Sequence, residues 1–164
     1  MKNMEHKNSR LAEDHSGHYR KLLIMAILSF IAMYILMYSM VNSIKNVYPN
    51  INQFYMAALM TMPMIIIELA LMGRMYQNKK LNIILIVFCS AGLIAFFSLI
   101  QFQTAVSDKQ FLKGMIPHHA AAILMSEQSK SHDPEIKKLQ QEIIYSQQEE
   151  IRVMKEKLKQ LDEK

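Results

Sequence analysis

Two adjacent histidines, His118 and His119, follow Met115 by three and four residues, and Ala122 and Met125 continue the same pattern. In a helix these spacings put the side chains on neighbouring strips of one face. A second helical pattern downstream carries Gln147, Glu150 and Met154. An antiparallel hairpin turning near Asp133 is expected to set His118 opposite Gln147 and Met115 opposite Glu150, with Met154 beyond, near Phe111 and Leu112. Imidazole, thioether, amide and carboxylate would then meet on one layer. Thioether is a soft ligand and imidazole a borderline one, so this donor set points to Cu(I) first and to Ag(I) by the same softness. Zinc gains little from methionine. A di-iron carboxylate centre needs Glu-x-x-His pairs, which do not occur in this chain. The plainer reading is exposed histidines and methionine as core filler. Pro117 weighs against it, because a proline inside a helix removes a backbone donor and kinks the turn.

Other methionines stand in apolar surroundings. Met33, Met37 and Met40 recur at spacings of 4 and 3, and Met56, Met60 and Met64 at i, i+4, i+8, with Met62 beside them. They are a candidate second path for a soft cation, or simply adaptable apolar packing. Glu68, a carboxylate inside an apolar run, is a functional-site candidate by its cost alone, unless it pairs with Arg74. His6, His15 and His18 precede the first apolar run and read as part of a solvated tail. Cys89, alone in the chain, reads as a small hydrophobe and cannot form an internal disulfide.

The elements that must position these residues are helical. Apolar runs at 22–41, 54–73 and 81–100 are each long enough to cross a bilayer, which takes about 20 residues of helix. The first is too long for a cleaved signal and lacks a small-residue cleavage site, so it reads as an anchor. Of 164 residues, 51% are hydrophobic, and there are fifteen Met and no Trp. The formal charge is +5, but all of the excess lies before residue 108; residues 108–164 are neutral. No basic face remains for nucleic acid, and the positive charge flanks apolar runs instead. Arg10, Arg20, Lys21, Arg74, Lys79 and Lys80 mark one side as cytoplasmic. The expected order is a cytoplasmic tail at 1–21, a membrane domain at 22–100 and an extracytoplasmic hairpin at 108–164. In the hairpin Asp108 is the expected first cap, and Ser131-His132-Asp133-Pro134 the turn. Ile136, Leu139, Ile143, Gln147, Ile151, Met154, Leu158 and Leu161 form a seam at spacings of 3 and 4. A two-helix hairpin cannot bury a core alone. Pairing with a second copy into a four-helix bundle is the favoured expectation, and packing on its own membrane part the alternative.

The stretch from Phe111 to Met125, followed by Gln147, Glu150, Ile151 and Met154, resembles the family called domain of unknown function 305. The shared core is Phe111, Leu112, Met115, Ile116, Pro117, His118 and His119, then Ala122, Ile123 and Met125, with Asp108 opening the motif. The spans are similar to those of a membrane-anchored branch, in which a Met-rich second span ends in a Met-Tyr pair, here Met75-Tyr76. The resemblance implies a ferritin-like hairpin, often assembled as a bundle. It also implies copper or silver handling outside the cytoplasm of bacteria, in the cell membrane, with the same Met and His positions as ligands; no catalysed reaction is established for the family. Ala120 and Ala121 supply no further ligand.

The expected function is therefore membrane-anchored binding of Cu(I), and of silver, for copper sequestration, homeostasis or resistance. Met115, His118, His119 and Met154 are the expected ligands and Met125 an additional one, with Glu150 and Gln147 orienting the imidazoles. The alternative is an oligomeric transport component with the membrane methionines and Glu68 lining its path. An enzyme lacks a nucleophile with a positioned base or a phosphate loop. A docking module with exposed histidines is the remaining reading.

Overall fold

In the computed structural model the backbone is described for residues 2–163 and the side chains for residues 17–163. His6, His15 and Arg10 have their side chains outside that range. Among the described residues all regular structure is helical: α1 (Lys2–Leu36), α2 (Ile51–Leu71), α3 (Lys79–Gln101), α4 (Asp108–Gln128) and α5 (Pro134–Asp162), with short 3-10 turns at Met37–Met40 and Ile44–Asn46. They divide into two compact units, Met1–Met33 with Tyr55–Phe102, and Tyr34–Phe54 with Gln103–Lys164.

The first unit is built for an apolar solvent. Gly17–Met40, Ile51–Leu71 and Lys79–Gln101 are each long and apolar enough to cross a membrane. Their outward positions are apolar too: Leu23, Ile27 and Leu28 on α1 and Ile83, Val87 and Phe88 on α3 are exposed. So much exposed aliphatic surface marks a membrane-associated protein. Leu22, Leu69 and Tyr76 form the unit's buried cluster, with Ile65, Leu85 and Ile86 against it. Gly92 admits Met62, whose sulfur lies 3.1 Å from where a β-carbon would stand.

The second unit is a helical hairpin with a cover. Ser107 caps α4 by accepting from the Gln110 amide, and Asp108 takes the first helical position instead of the cap, where its charge suits the helix N-terminus. Asp133 caps α5, its Oδ1 accepting from the amides of Glu135 and Ile136 at 2.8 and 3.1 Å, with Pro134 first in the helix. Ile116, Ala120 and Ile123 of α4 meet Ile151 and Leu158 of α5 in the core. Val41 and Tyr48, from the segment between α1 and α2, pack on that core with Leu112 and Met154. The hairpin thus receives part of its burial from its own chain.

The register differs from the one the turn position suggests. His119 stands opposite Glu150, and Ser129 receives a hydrogen bond from Gln140 at 3.3 Å. His118 is therefore level with Ile151, about one helical turn from Gln147. The cause is the loop: Ser129 and Asp133 are extended, so residues 129–133 carry the chain past the end of α4 before it returns. The first two turns of α5 overhang, which leaves Ile136 and Leu139 exposed.

Candidate functional site

Along α4, Met115 and His119 are one turn apart and face α5, where Glu150 and Met154 are also one turn apart. The four line one cleft of about 320 Å³ together with Phe111, Glu149 and Val153. His119 is buried, while Phe111 and Val153 are half exposed at the rim. The one-turn shift in register makes this grouping: it brings Met154 level with Met115 and Glu150 level with His119.

Both nitrogens of His119 are engaged. Nδ1 lies 2.9 Å from the Met115 carbonyl oxygen, which can only accept, so Nδ1 carries a hydrogen and donates. Nε2 lies 2.6 Å from Glu150 Oε2. The carbonyl and the carboxylate thus hold the ring between them, with Glu150 on the nitrogen that would otherwise be open. The side-chain exposures of His119 and Glu150 are 9% and 55%, so the carboxylate faces solvent while the imidazole is enclosed. Beside it, the hydrogen bond from Arg152 holds the Glu149 carboxyl below its ordinary range, as one half of an ion pair.

Several residues singled out by spacing stand elsewhere. His118 is exposed, its ring centroid 6.1 Å from that of His119, and it does not line the cleft. Met125 is exposed on α4, and Gln147 is half-buried outside the cleft. α1 ends at Leu36, so Met37 and Met40 lie in a 3-10 turn and do not continue an α-helical stripe from Met33. The Met33 sulfur lies 4.0 Å from Thr61 Oγ1. Met56 and Met60 are exposed, and Met64 is half-buried. Glu68 Oε1 accepts from the Tyr76 hydroxyl at 3.2 Å, which gives it a partner other than the Arg74 expected from sequence. Among the described residues no three or more His, Cys, Asp or Glu side chains gather as metal ligands. A site in the cleft would thus have to count its thioethers.

A family model described as Domain of unknown function (DUF305) matches residues 96–158, from late α3 through most of α5. An uncharacterized protein of Acanthamoeba polyphaga mimivirus is 38% identical over 136 residues, covering 81% of this chain and 88% of that protein. The chain belongs to the DUF305 family. No solved structure matches it. The DUF305 match takes in every residue of the cleft, whereas α1 and α2 lie outside it. One contributor from outside the match is Asn50, whose side chain reaches the Lys113 carbonyl of α4 at 3.4 Å. Only Pro117, which leaves that carbonyl without a helical donor, could have hinted at such a partner.

Proposed function

We propose that this protein is a membrane-anchored binder of soft monovalent metal ions, Cu(I) and Ag(I), at the cleft between α4 and α5. The observation that carries the reading is the donor set of that cleft. Two thioethers, Met115 and Met154, and one imidazole, His119, line it together. Such a set suits Cu(I) and offers little to zinc, calcium or magnesium. His119 binds through Nε2 once Glu150 leaves it, and the Met115 carbonyl keeps the ring in place during the exchange. His118, one residue before it and exposed, serves as an outer contact for the incoming ion.

The excess of Lys and Arg beside residues 20–21 and 74–80 supports an orientation with those residues in the cytoplasm and the hairpin on the other side of the cell membrane. The role is sequestration of copper outside the cytoplasm, as a homodimer or larger assembly, without a catalysed reaction. An anaerobic Cu(I) competition titration of the full-length protein tests this. His119→Ala is expected to lose the tight site, and His118→Ala to retain it with affinity weakened less than tenfold, about 1.4 kcal/mol at most. Equal copper binding by the parent and His119→Ala would sink the reading.

A further inference from the structure

A proline at position 117 has a defined local consequence. Residue 117 would donate its amide to the carbonyl of residue 113, four positions back, and proline has no amide hydrogen to give. The Lys113 carbonyl is left without a helical partner inside α4, beside a buried Pro117. An unpaired buried carbonyl costs stability and invites the helix to open there. The two residues after Pro117 are His118 and His119, and two residues after Lys113 is Met115, whose carbonyl orients the His119 ring.

Asn50 fills the gap. Its side chain is buried, at 5% exposure, and every hydrogen on it is used. Nδ2 donates to the Tyr48 carbonyl at 3.0 Å and to the Lys113 carbonyl at 3.4 Å, while Oδ1 accepts from the Gln53 amide at 3.0 Å. The neighbouring residues follow the same strip of α4. Gln110 Oε1 accepts from the Ile51 amide at 2.9 Å, and a β-carbon at Gly114 would lie 3.6 Å from Asn50 Oδ1. Residues 110, 114 and 117 recur at 4 and 3, so they form one face of the helix. Segment 48–52 lies along that face.

We propose that Asn50 is a positioning residue for the turn that carries Met115 and His119, acting through the carbonyl that Pro117 leaves free. The proline opens an acceptor on the helix, and the asparagine from the segment before α2 closes it, so the turn is held from outside the hairpin. This deepens the soft-metal reading and rests on it for the metal readout alone.

The test uses the full-length protein in detergent, with Asn50→Asp, Pro117→Ala and the double variant. Aspartate keeps the oxygen that caps Gln53 but has no hydrogen for Lys113. Alanine at 117 restores a helical amide that makes Asn50 dispensable there. One readout is the 15N-labelled His119 ring without metal, where the Nδ1–H signal reports the bond to the Met115 carbonyl. The other is Ag(I) affinity by competition. Asn50→Asp should lose the ring signal and about tenfold or more in Ag(I) affinity at unchanged helix content, the scale of an outer-shell defect. The double variant should regain both to the level of Pro117→Ala. An Asn50→Asp protein that keeps the ring signal overturns the proposal, as does a double variant that fails to recover it. If the parent takes up no Ag(I), the metal reading falls, and the ring signal still decides the role of Asn50. If Asn50→Asp does not fold, recovery of folded protein in the double variant supports the proposal and continued failure overturns it.

Discussion

His119 is held at both ring nitrogens, by the Met115 carbonyl on one side and by Glu150 on the other. The Met115 carbonyl determines which nitrogen bears a hydrogen, and Glu150 Oε2 lies 2.6 Å from the other. A metal ion at Nε2 displaces the Glu150 contact and competes with protons for the imidazole, as every histidine ligand does. Affinity should therefore fall as the solution is acidified through the range in which imidazole takes up a proton, which a competition titration at several pH values checks. An affinity that stays constant across that range would show that the metal sits elsewhere. At this scale the sequence disclosed the residue types and the helical strips: Met115, His119, Glu150 and Met154 all reached one cleft. It did not disclose that His118, Met125 and Gln147 would stay outside. Two histidines in succession are about 100° apart on a helix, and which one faces the partner depends on a register that no local spacing encodes.

The element that decides that register is the loop 129–133. Its extended ends lengthen the return path, and α5 settles about one turn further along α4 than a flush hairpin would. The hydrophobic seam of α5 was legible as a period of 3 and 4, yet only its later part is used: Ile151 and Leu158 are buried, while Ile136 and Leu139 overhang. Ile123 and Ile116 are the largest fully buried side chains of the unit. Truncating Ile123 to alanine should cost about 2–5 kcal/mol, because both transfer energy and a cavity are lost. Thermal unfolding of the hairpin followed by circular dichroism checks this, and a midpoint unchanged by Ile123→Ala would contradict the packing described. The cover of Val41, Tyr48 and Asn50 was beyond reading from spacing. A segment between two apolar runs shows no period, and its partner is a carbonyl that only Pro117 exposes.

For the whole molecule, composition alone was enough to separate apolar helices from a polar, neutral C-terminal region, since membrane spans are read by length and hydropathy. The methionines inside those spans form one continuous helical stripe, on α2, where their spacing suggests two. The change from α-helix to 3-10 turn after Leu36 breaks the first stripe, and Glu68 is satisfied by Tyr76. A sequestering protein with such spans should pass no copper: proteoliposomes holding it should show Cu(I) influx equal to empty vesicles. Influx that depends on Glu68 or on Met60 would favour a transport component instead.

The central claim is that thioethers from two helices and the His119 imidazole bind one soft ion. X-ray absorption at the copper edge, on full-length protein loaded anaerobically with one Cu(I), tests it most directly. The expected spectrum has both sulfur and nitrogen neighbours, with the sulfur contribution lost in Met115→Leu/Met154→Leu and the nitrogen contribution lost in His119→Ala. A spectrum that neither variant changes would place the ion outside the cleft and contradict the account.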